Sequence, residues 1–299
     1  MEIRCIYEAR SALSESALWS PREKALYWLD QMRPEIHRLD PATGKDVLFP
    51  LTLPAQLGGL VPLAGGGLAL AASDGISLLS AHMKTRTSLV NPIASLPQAS
   101  FNDAKCDRQG RLWAGTTDRL EKERIGRLYR FDAKGTATSI AEGFICSNGP
   151  SFSPDGRTMY HTRSSERVID AYDIDPDTGA ASNRRVFATI DAGAGVPDGS
   201  TVDAEGYLWS AHWGGWRITR YAPDGRVDRE IAMPVKSVTS CAFGGENMDT
   251  LFVTTASAEN VDGRWVFMDD AGFAAAPLTG GIFAIDVGIR GLPEPAFRT

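Results

Sequence analysis

The stretch Val196-Pro197-Asp198-Gly199-Ser200-Thr201-Val202-Asp203-Ala204-Glu205-Gly206-Tyr207-Leu208-Trp209 is the third occurrence of one phrase in this 299-residue chain. Asn102 stands eight residues before Gly110, Asn148 eight before Gly156, and Asp198 eight before Gly206. Each copy reads as a polar head, a short apolar strand, a tight turn (Asp107-Arg108-Gln109-Gly110, Ser153-Pro154-Asp155-Gly156, Asp203-Ala204-Glu205-Gly206) and a second strand that opens on aromatic residues. That is a repeated hairpin, with glycine where the turn needs a positive φ. The heads lie 46 and 50 residues apart, a spacing that signals a propeller or a solenoid.

Outward from these copies, short strands alternate apolar and polar residues between turn residues, and no long stretch shows a 3.6-residue period with caps, so the chain is expected to be all-β. Ala17-Leu18-Trp19, Ala25 to Asp30, Glu35 to Leu39 and Asp46 to Phe49 are four candidate strands, the content of one propeller blade. Gly58 to Pro92, Asn102 to Phe144, Asn148 to Ile190 and Asp198 to Met233 supply four further units, and Ser237 to Thr255 with Gly280 to Asp286 supplies the sixth. The expected fold is a six-bladed β-propeller with four antiparallel strands per blade, a single domain over residues 1–299. Pairing of Ile3 to Tyr7 into the last blade closes it and removes open sheet edges. Inserts at 117–125 and 256–279 break the period, and such insertions belong to the face where recognition loops are built. Trp28, Trp113, Tyr160 and Trp209 recur at equivalent places and read as packing between blades. Asp103, Asp107, Asp155 and Asp203 read as turn and cap residues.

The net charge of −6 and a pI near 5.3 argue against a nucleic-acid backbone or an anionic membrane surface as partner, since both require clustered Lys and Arg. Cys5, Cys106, Cys146 and Cys241 lie far apart with no Cys-x-x-Cys spacing, which reads as reduced core residues. The N-terminal residues lack the apolar core of a signal peptide, and no run approaches the roughly 18 apolar residues of a membrane span. A cytoplasmic monomer or homodimer is the expectation.

In a propeller the first strand of each blade lines the axis, so residues at equivalent positions converge. Glu15, about nine residues before the turn at Lys24, takes the matching place in the first blade. Glu15, Asn102, Asn148 and Asp198 are then two carboxylates and two carboxamides aimed at one cavity. Two carboxylates brought close without a cation repel and raise one pKa. A hard divalent ion removes that penalty, and this oxygen set suits Ca²⁺, Mg²⁺ or Mn²⁺, with zinc also possible.

Leu13-Ser14-Glu15-Ser16-Ala17-Leu18-Trp19, Phe101-Asn102-Asp103-Ala104-Lys105, Ser147-Asn148-Gly149-Pro150 and Pro197-Asp198-Gly199 with Asp203-Ala204-Glu205-Gly206-Tyr207-Leu208-Trp209 resemble the motifs of the SMP-30/gluconolactonase/regucalcin-like sugar lactonases, over nearly the whole chain. The resemblance implies a six-bladed propeller with one divalent ion held by Glu15, Asn148 and Asp198, and a substrate contact from Asn102. Two departures stand out. Ser14 and Ser16 flank Glu15 where the family usually has glycine. Ser100 replaces an arginine that binds sugar hydroxyls, while Arg163 in Tyr160-His161-Thr162-Arg163-Ser164 stands where the family usually has an aspartate.

The expected reaction is hydrolysis of a sugar lactone such as gluconolactone or a pentonolactone to the aldonic acid, with Asp198 as general base. Asn102, Ser100, Arg163 and His161 form the expected substrate wall, with His212 a further wall residue or proton shuttle. The exchanged arginine points to a lactone carrying an anion, such as 6-deoxy-6-sulfogluconolactone, because guanidinium pairs with oxyanions through parallel hydrogen bonds. No Gly-x-Ser-x-Gly elbow is present, which removes the serine-hydrolase route. A phosphotriesterase-like hydrolase and a non-enzymatic calcium-binding propeller are the alternatives. An apolar channel marks the first, and a charged or aromatic face without a substrate asparagine marks the second.

Overall fold

The computed structural model describes residues 1–51, 56–261 and 264–299. They form six four-stranded antiparallel sheets, the blade complement of a six-bladed β-propeller, together with one two-stranded hairpin. Blade 1 runs Ser14–Ser20, Ala25–Asp30, Glu35–Asp40, Lys45–Pro50, and blade 2 Leu57–Pro62, Leu68–Ala72, Gly75–Leu79, Arg86–Val90. Blade 3 runs Ala99–Cys106, Leu112–Asp118, Gly126–Phe131, Ala137–Phe144, and blade 4 Ser147–Phe152, Thr158–Arg163, Val168–Ile174, Ala181–Thr189. Blade 5 is Val196–Val202, Leu208–Trp213, Arg217–Tyr221, Val227–Ala232. Blade 6 takes Ser237–Gly244, Thr250–Ala256 and Ile282–Asp286, and its outer strand is the N-terminal Ile3–Tyr7, as expected.

The chain divides into two compact units, Met1–Thr52 with Ile190–Pro293, and Leu53–Thr189 with Glu294–Thr299. The first holds blades 1, 5 and 6. Its core is built where apolar faces of neighbouring sheets meet: Trp209, Ile218, Cys241, Phe243, Leu251 and Phe283 in one layer, Trp19, Trp28, Leu39, Phe252 and Ile282 in another. The second unit holds blades 2, 3 and 4, with Phe101, Leu112, Tyr129, Phe131 and Phe297 in one layer and Trp113, Phe144, Phe152, Met159 and Tyr172 in the next. Phe297, fully buried, arrives on the C-terminal tail, which pairs with Leu63 through a parallel bridge.

Trp28, Trp113 and Trp209 pack between blades as expected, while Tyr160 packs on Phe187 of its own blade, and the polar atoms of two of the tryptophans explain two of the recurrent aspartates. Trp113 Nε1 donates to Asp107 Oδ2 and Trp209 Nε1 to Asp203 Oδ2, each at 2.9 Å. Arg111 pairs with Asp107 and Arg220 with Asp203, so two buried carboxylates fasten an indole and a guanidinium to their own turns. All four cysteines are thiols outside any disulfide, three of them buried. The 256–279 insert carries the hairpin Glu259–Val261/Arg264–Val266 and a short helix, Asp270–Ala275. Its roots clamp the approach to Glu15: Ser257 N donates to Ser11 O at 3.2 Å, Ala258 N to Ala12 O at 2.9 Å, and Ser11 N to Gly280 O at 3.2 Å. No described helix is long and apolar enough to cross a membrane.

Candidate functional site

The polar heads share a backbone feature that the sequence conceals: the first strand of every blade is bulged at the head. In blades 1, 4 and 5 two residues face one on the second strand: Ser16 and Ala17 after Glu15, Gly149 and Pro150 after Asn148, Asp198 and Gly199 after Pro197. In blades 2, 3 and 6 a single residue is skipped: Gly58, Asn102 and Thr239. Bulges re-aim side chains and interrupt pairing, and they are features that folds build next to sites. Of the three residues expected to bind a metal, Glu15 and Asn148 are the last paired residues before the wider kind of bulge and Asp198 is the first residue inside one, while Asn102 is the skipped residue of the narrower kind.

Within the second unit Asn102 and Asn148 are brought together. Asn102 Nδ2 donates to Asn148 Oδ1 at 2.8 Å and to Ser147 O at 3.1 Å. Asn148 Nδ2 donates to Ser164 Oγ at 2.8 Å, which fixes the amide so that its oxygen faces Asn102. An amide oxygen has two lone pairs, so Asn148 Oδ1 can accept from Asn102 and still serve a cation. Asp103, expected as a turn or cap residue, is buried within the first strand of blade 3: its carboxylate accepts from Ala104 N at 2.8 Å and from Gly149 N at 3.0 Å. Burial pushes its pKa up to about 6 although Lys105 pulls the other way. It braces the bulge after Asn148 from the neighbouring sheet, and only the sheet-to-sheet geometry reveals it.

Within the first unit Glu15 is 6% exposed and Asp198 7%. Glu15 Oε2 accepts from Ser16 N at 3.2 Å, and Ser16 takes a left-handed backbone, φ 58°. Glycine adopts that conformation without strain, which fits the glycine expected at this position, and Ser16 holds the same backbone at a steric cost. The segment ahead of Glu15 is tied down by Asp30, whose carboxylate accepts from Ser11 Oγ, Ala12 N and Leu13 N at 2.6, 3.0 and 3.3 Å. Glu15 and Asp198 carry carboxylate oxygens and Asn148 an amide oxygen, donor types that hard cations take, each at a position that water reaches poorly. Among the described residues no group of three or more His, Cys, Asp or Glu side chains forms a metal cluster. The expected ligand set contains only two residues of those kinds.

The other expected wall residues are buried or engaged by neighbouring side chains. Ser100 is fully buried and its hydroxyl turns onto Phe101 O at 3.0 Å. His161 is fully buried, 2.7 Å from Ser147 Oγ through Nε2, and burial pushes its pKa down to about 3. It is a neutral ring behind the first strand of blade 4, with no surface for a ligand. His212 is likewise buried, with Nδ1 against Ala194 O at 2.8 Å. Arg163 is neither solvated nor isolated: it grips Asp170 with Nε and one terminal nitrogen at 2.8 and 3.2 Å, and Arg184 shares the same carboxylate at 2.8 Å. Two guanidinium groups and one carboxylate leave this corner of blade 4 with one net positive charge.

The family model described as SMP-30/Gluconolactonase/LRE-like region matches residues 13–257. A 6-deoxy-6-sulfogluconolactonase of Pseudomonas putida is 36% identical over 99% of this chain and 98% of its own. A pentonolactonase of Haloferax volcanii is 34% identical, over 98% of this chain and 97% of its own. The crystal structure of regucalcin from Agrobacterium tumefaciens, a calcium-binding protein, superposes with a TM-score of 0.91 at 28% identity, covering 100% of this chain and 98% of that one.

Proposed function

The chain belongs to the SMP-30/gluconolactonase/LRE-like family, and from that premise we propose that it is a metal-dependent hydrolase that opens a sugar lactone to the aldonic acid. The observation that carries this reading is the placement of Glu15, Asn148 and Asp198 at the three two-residue bulges, each buried and each bearing oxygen. On this reading these residues would hold one divalent ion, Ca²⁺, Mg²⁺, Mn²⁺ or Zn²⁺. When bound, such an ion polarises the lactone carbonyl and offsets the charge that develops on its oxygen. Asn148 enters with its amide pre-set by Ser164 and Asn102, so no side-chain freedom is lost on binding. Asn102 orients substrate hydroxyls. Asp198 accepts a proton from the attacking water.

The anionic-lactone reading keeps two supports: the net positive charge around Asp170 and the relative named a 6-deoxy-6-sulfogluconolactonase. The decisive experiment is a panel of aldonolactones, neutral and 6-anionic, assayed by proton release with and without chelator. Activity should vanish on chelation and return with metal, and Asp198→Asn should lower kcat by about a hundredfold or more while the fold persists. Near-normal kcat in Asp198→Asn would remove it as base and ligand. Arg163→Ala should cost the 6-anionic lactone about 1.5–3 kcal/mol of transition-state binding and the neutral one much less. Equal losses return the substrate to a neutral sugar lactone.

A further inference from the structure

In blades 3 and 6 the single skipped residue of the first strand is a hydrogen-bond donor aimed at the same place on the next sheet of its unit. Asn102 Nδ2 donates to Ser147 O, the carbonyl immediately before Asn148, at 3.1 Å. Thr239 Oγ1 donates to Ser14 O, the carbonyl immediately before Glu15, at 2.6 Å. In blade 2 the position is Gly58, and a Cβ there would run into Phe101 O, the carbonyl immediately before Asn102. One contact, from bulge residue to the carbonyl ahead of the next head, is thus repeated in both units.

Thr239 is fully buried. Its hydroxyl also meets Thr254 Oγ1 at 2.8 Å; with its one proton on Ser14 O, Thr239 accepts from Thr254. On the opposite side the first strand of blade 5 presses close. A Cβ on Gly199, the neighbour of Asp198, would stand 2.7 Å from Ser240 Oγ and 2.8 Å from Thr239 O. The first strand of blade 6 is therefore packed without a gap against the strand of Asp198 and tied by one hydroxyl to the strand of Glu15.

We propose that Thr239 is a positioning residue for the cation: its hydroxyl sets the Glu15 strand relative to the Asp198 strand, as Asn102 sets the strand of Asn148. This rests on the metal reading above. Thr239 touches neither metal nor substrate, and it acts through the backbone carbonyl of Ser14. Fixing a ligand from behind in this way typically governs metal affinity by about 10- to 100-fold.

The test is titration calorimetry of the whole protein, freed of metal, with Ca²⁺ and with Mn²⁺, alongside the melting temperature of the metal-free form. Thr239→Val keeps the shape and removes the hydroxyl, and should weaken binding about tenfold while leaving the metal-free melting temperature within a few degrees of wild type. Thr239→Ser, which keeps the hydroxyl, should bind within about twofold of wild type. If Thr239→Val proves unstable, Thr239→Ala reads the same contact. Wild-type affinity in Thr239→Val, or equal losses in the valine and serine variants, overturns the positioning role. Glu15→Gln separates the two readings. Lost binding there with unchanged binding in Thr239→Val sinks only this inference, whereas unchanged binding in Glu15→Gln, or none in wild type, sinks the metal reading itself.

Discussion

Burial of the His161 imidazole couples folding to pH in a defined window. Its pKa is held at about 3 against an ordinary 6.5, so the folded state favours the neutral ring. The stability this contributes is complete above pH 6.5 and is lost as the pH falls toward 3, because the unfolded chain takes up the proton first. At pH 5 the loss amounts to about 2 kcal/mol. Asp103 works with the opposite sign: its raised pKa, about 6, gives stability that is full below its ordinary 3.8 and is lost as the pH rises through 6. The two partly cancel between pH 5 and 7, so the wild-type curve alone shows neither. The difference between wild type and His161→Gln isolates the ring. Urea unfolding at pH 7 and pH 5 should show the variant losing about 2 kcal/mol less than wild type; parallel changes would mean the ring does not titrate this way. Neither group could be read from the sequence. Asp103 looks like any aspartate near a turn, and its partner Gly149 lies on another sheet. Arg163 was legible as an exchanged charge, yet its partner Asp170 is found only once the second and third strands of blade 4 are in register.

At the scale of strands, close approach between sheets is what makes particular glycines necessary. A Cβ on Gly58 meets the backbone of Phe101, and one on Gly59 stands 2.6 Å from Ala104 N. Backbone cannot swing aside, so Gly58→Ala should destabilise by about 1–3 kcal/mol or more. Gly65→Ala, whose Cβ meets nothing within 4 Å, should stay within about 0.5 kcal/mol of wild type. Thermal denaturation of the pair checks this, and equal effects would mean the sheets can part. The strands themselves were largely legible: Ala25 to Asp30 is reproduced to the residue, and the other outer strands of blade 1 extend by one residue at most per end. Ala17-Leu18-Trp19 fell short of Ser14–Ser20 because the bulge after Glu15 breaks the alternation that marks a strand. Two of the six heads escaped the sequence for other reasons. Gly58 has no side chain to notice, and Thr239 precedes a turn of different composition, Gly245 to Asp249, so neither belongs to the repeated phrase.

For the molecule as a whole, an ion bound only by the folded chain stabilises it by mass action, about 2.7 kcal/mol at a hundredfold excess over Kd. The melting temperature should therefore rise with metal concentration in wild type and stay flat in Glu15→Gln; an unchanged wild-type transition at saturating metal counts against a bound ion. The six-sheet count was legible because the phrase repeats, whereas the grouping into two units was not, since it depends on where sheets pack rather than on what each contains. That grouping also bears on how the chain matures. Blades 2, 3 and 4 are written continuously between residues 53 and 189 and lack only the tail at 294–299, so most of that unit can fold while the rest is still being made. Blade 6 draws its outer strand from Ile3–Tyr7 and the strand beside it from Ile282–Asp286. Of the described strands Ile3–Tyr7 is made before all the others and its partner Ile282–Asp286 after them, so it waits unpaired while every strand between them is made. Ile3, Cys5 and Ile6 are the residues a nascent-chain chaperone would meet during that interval.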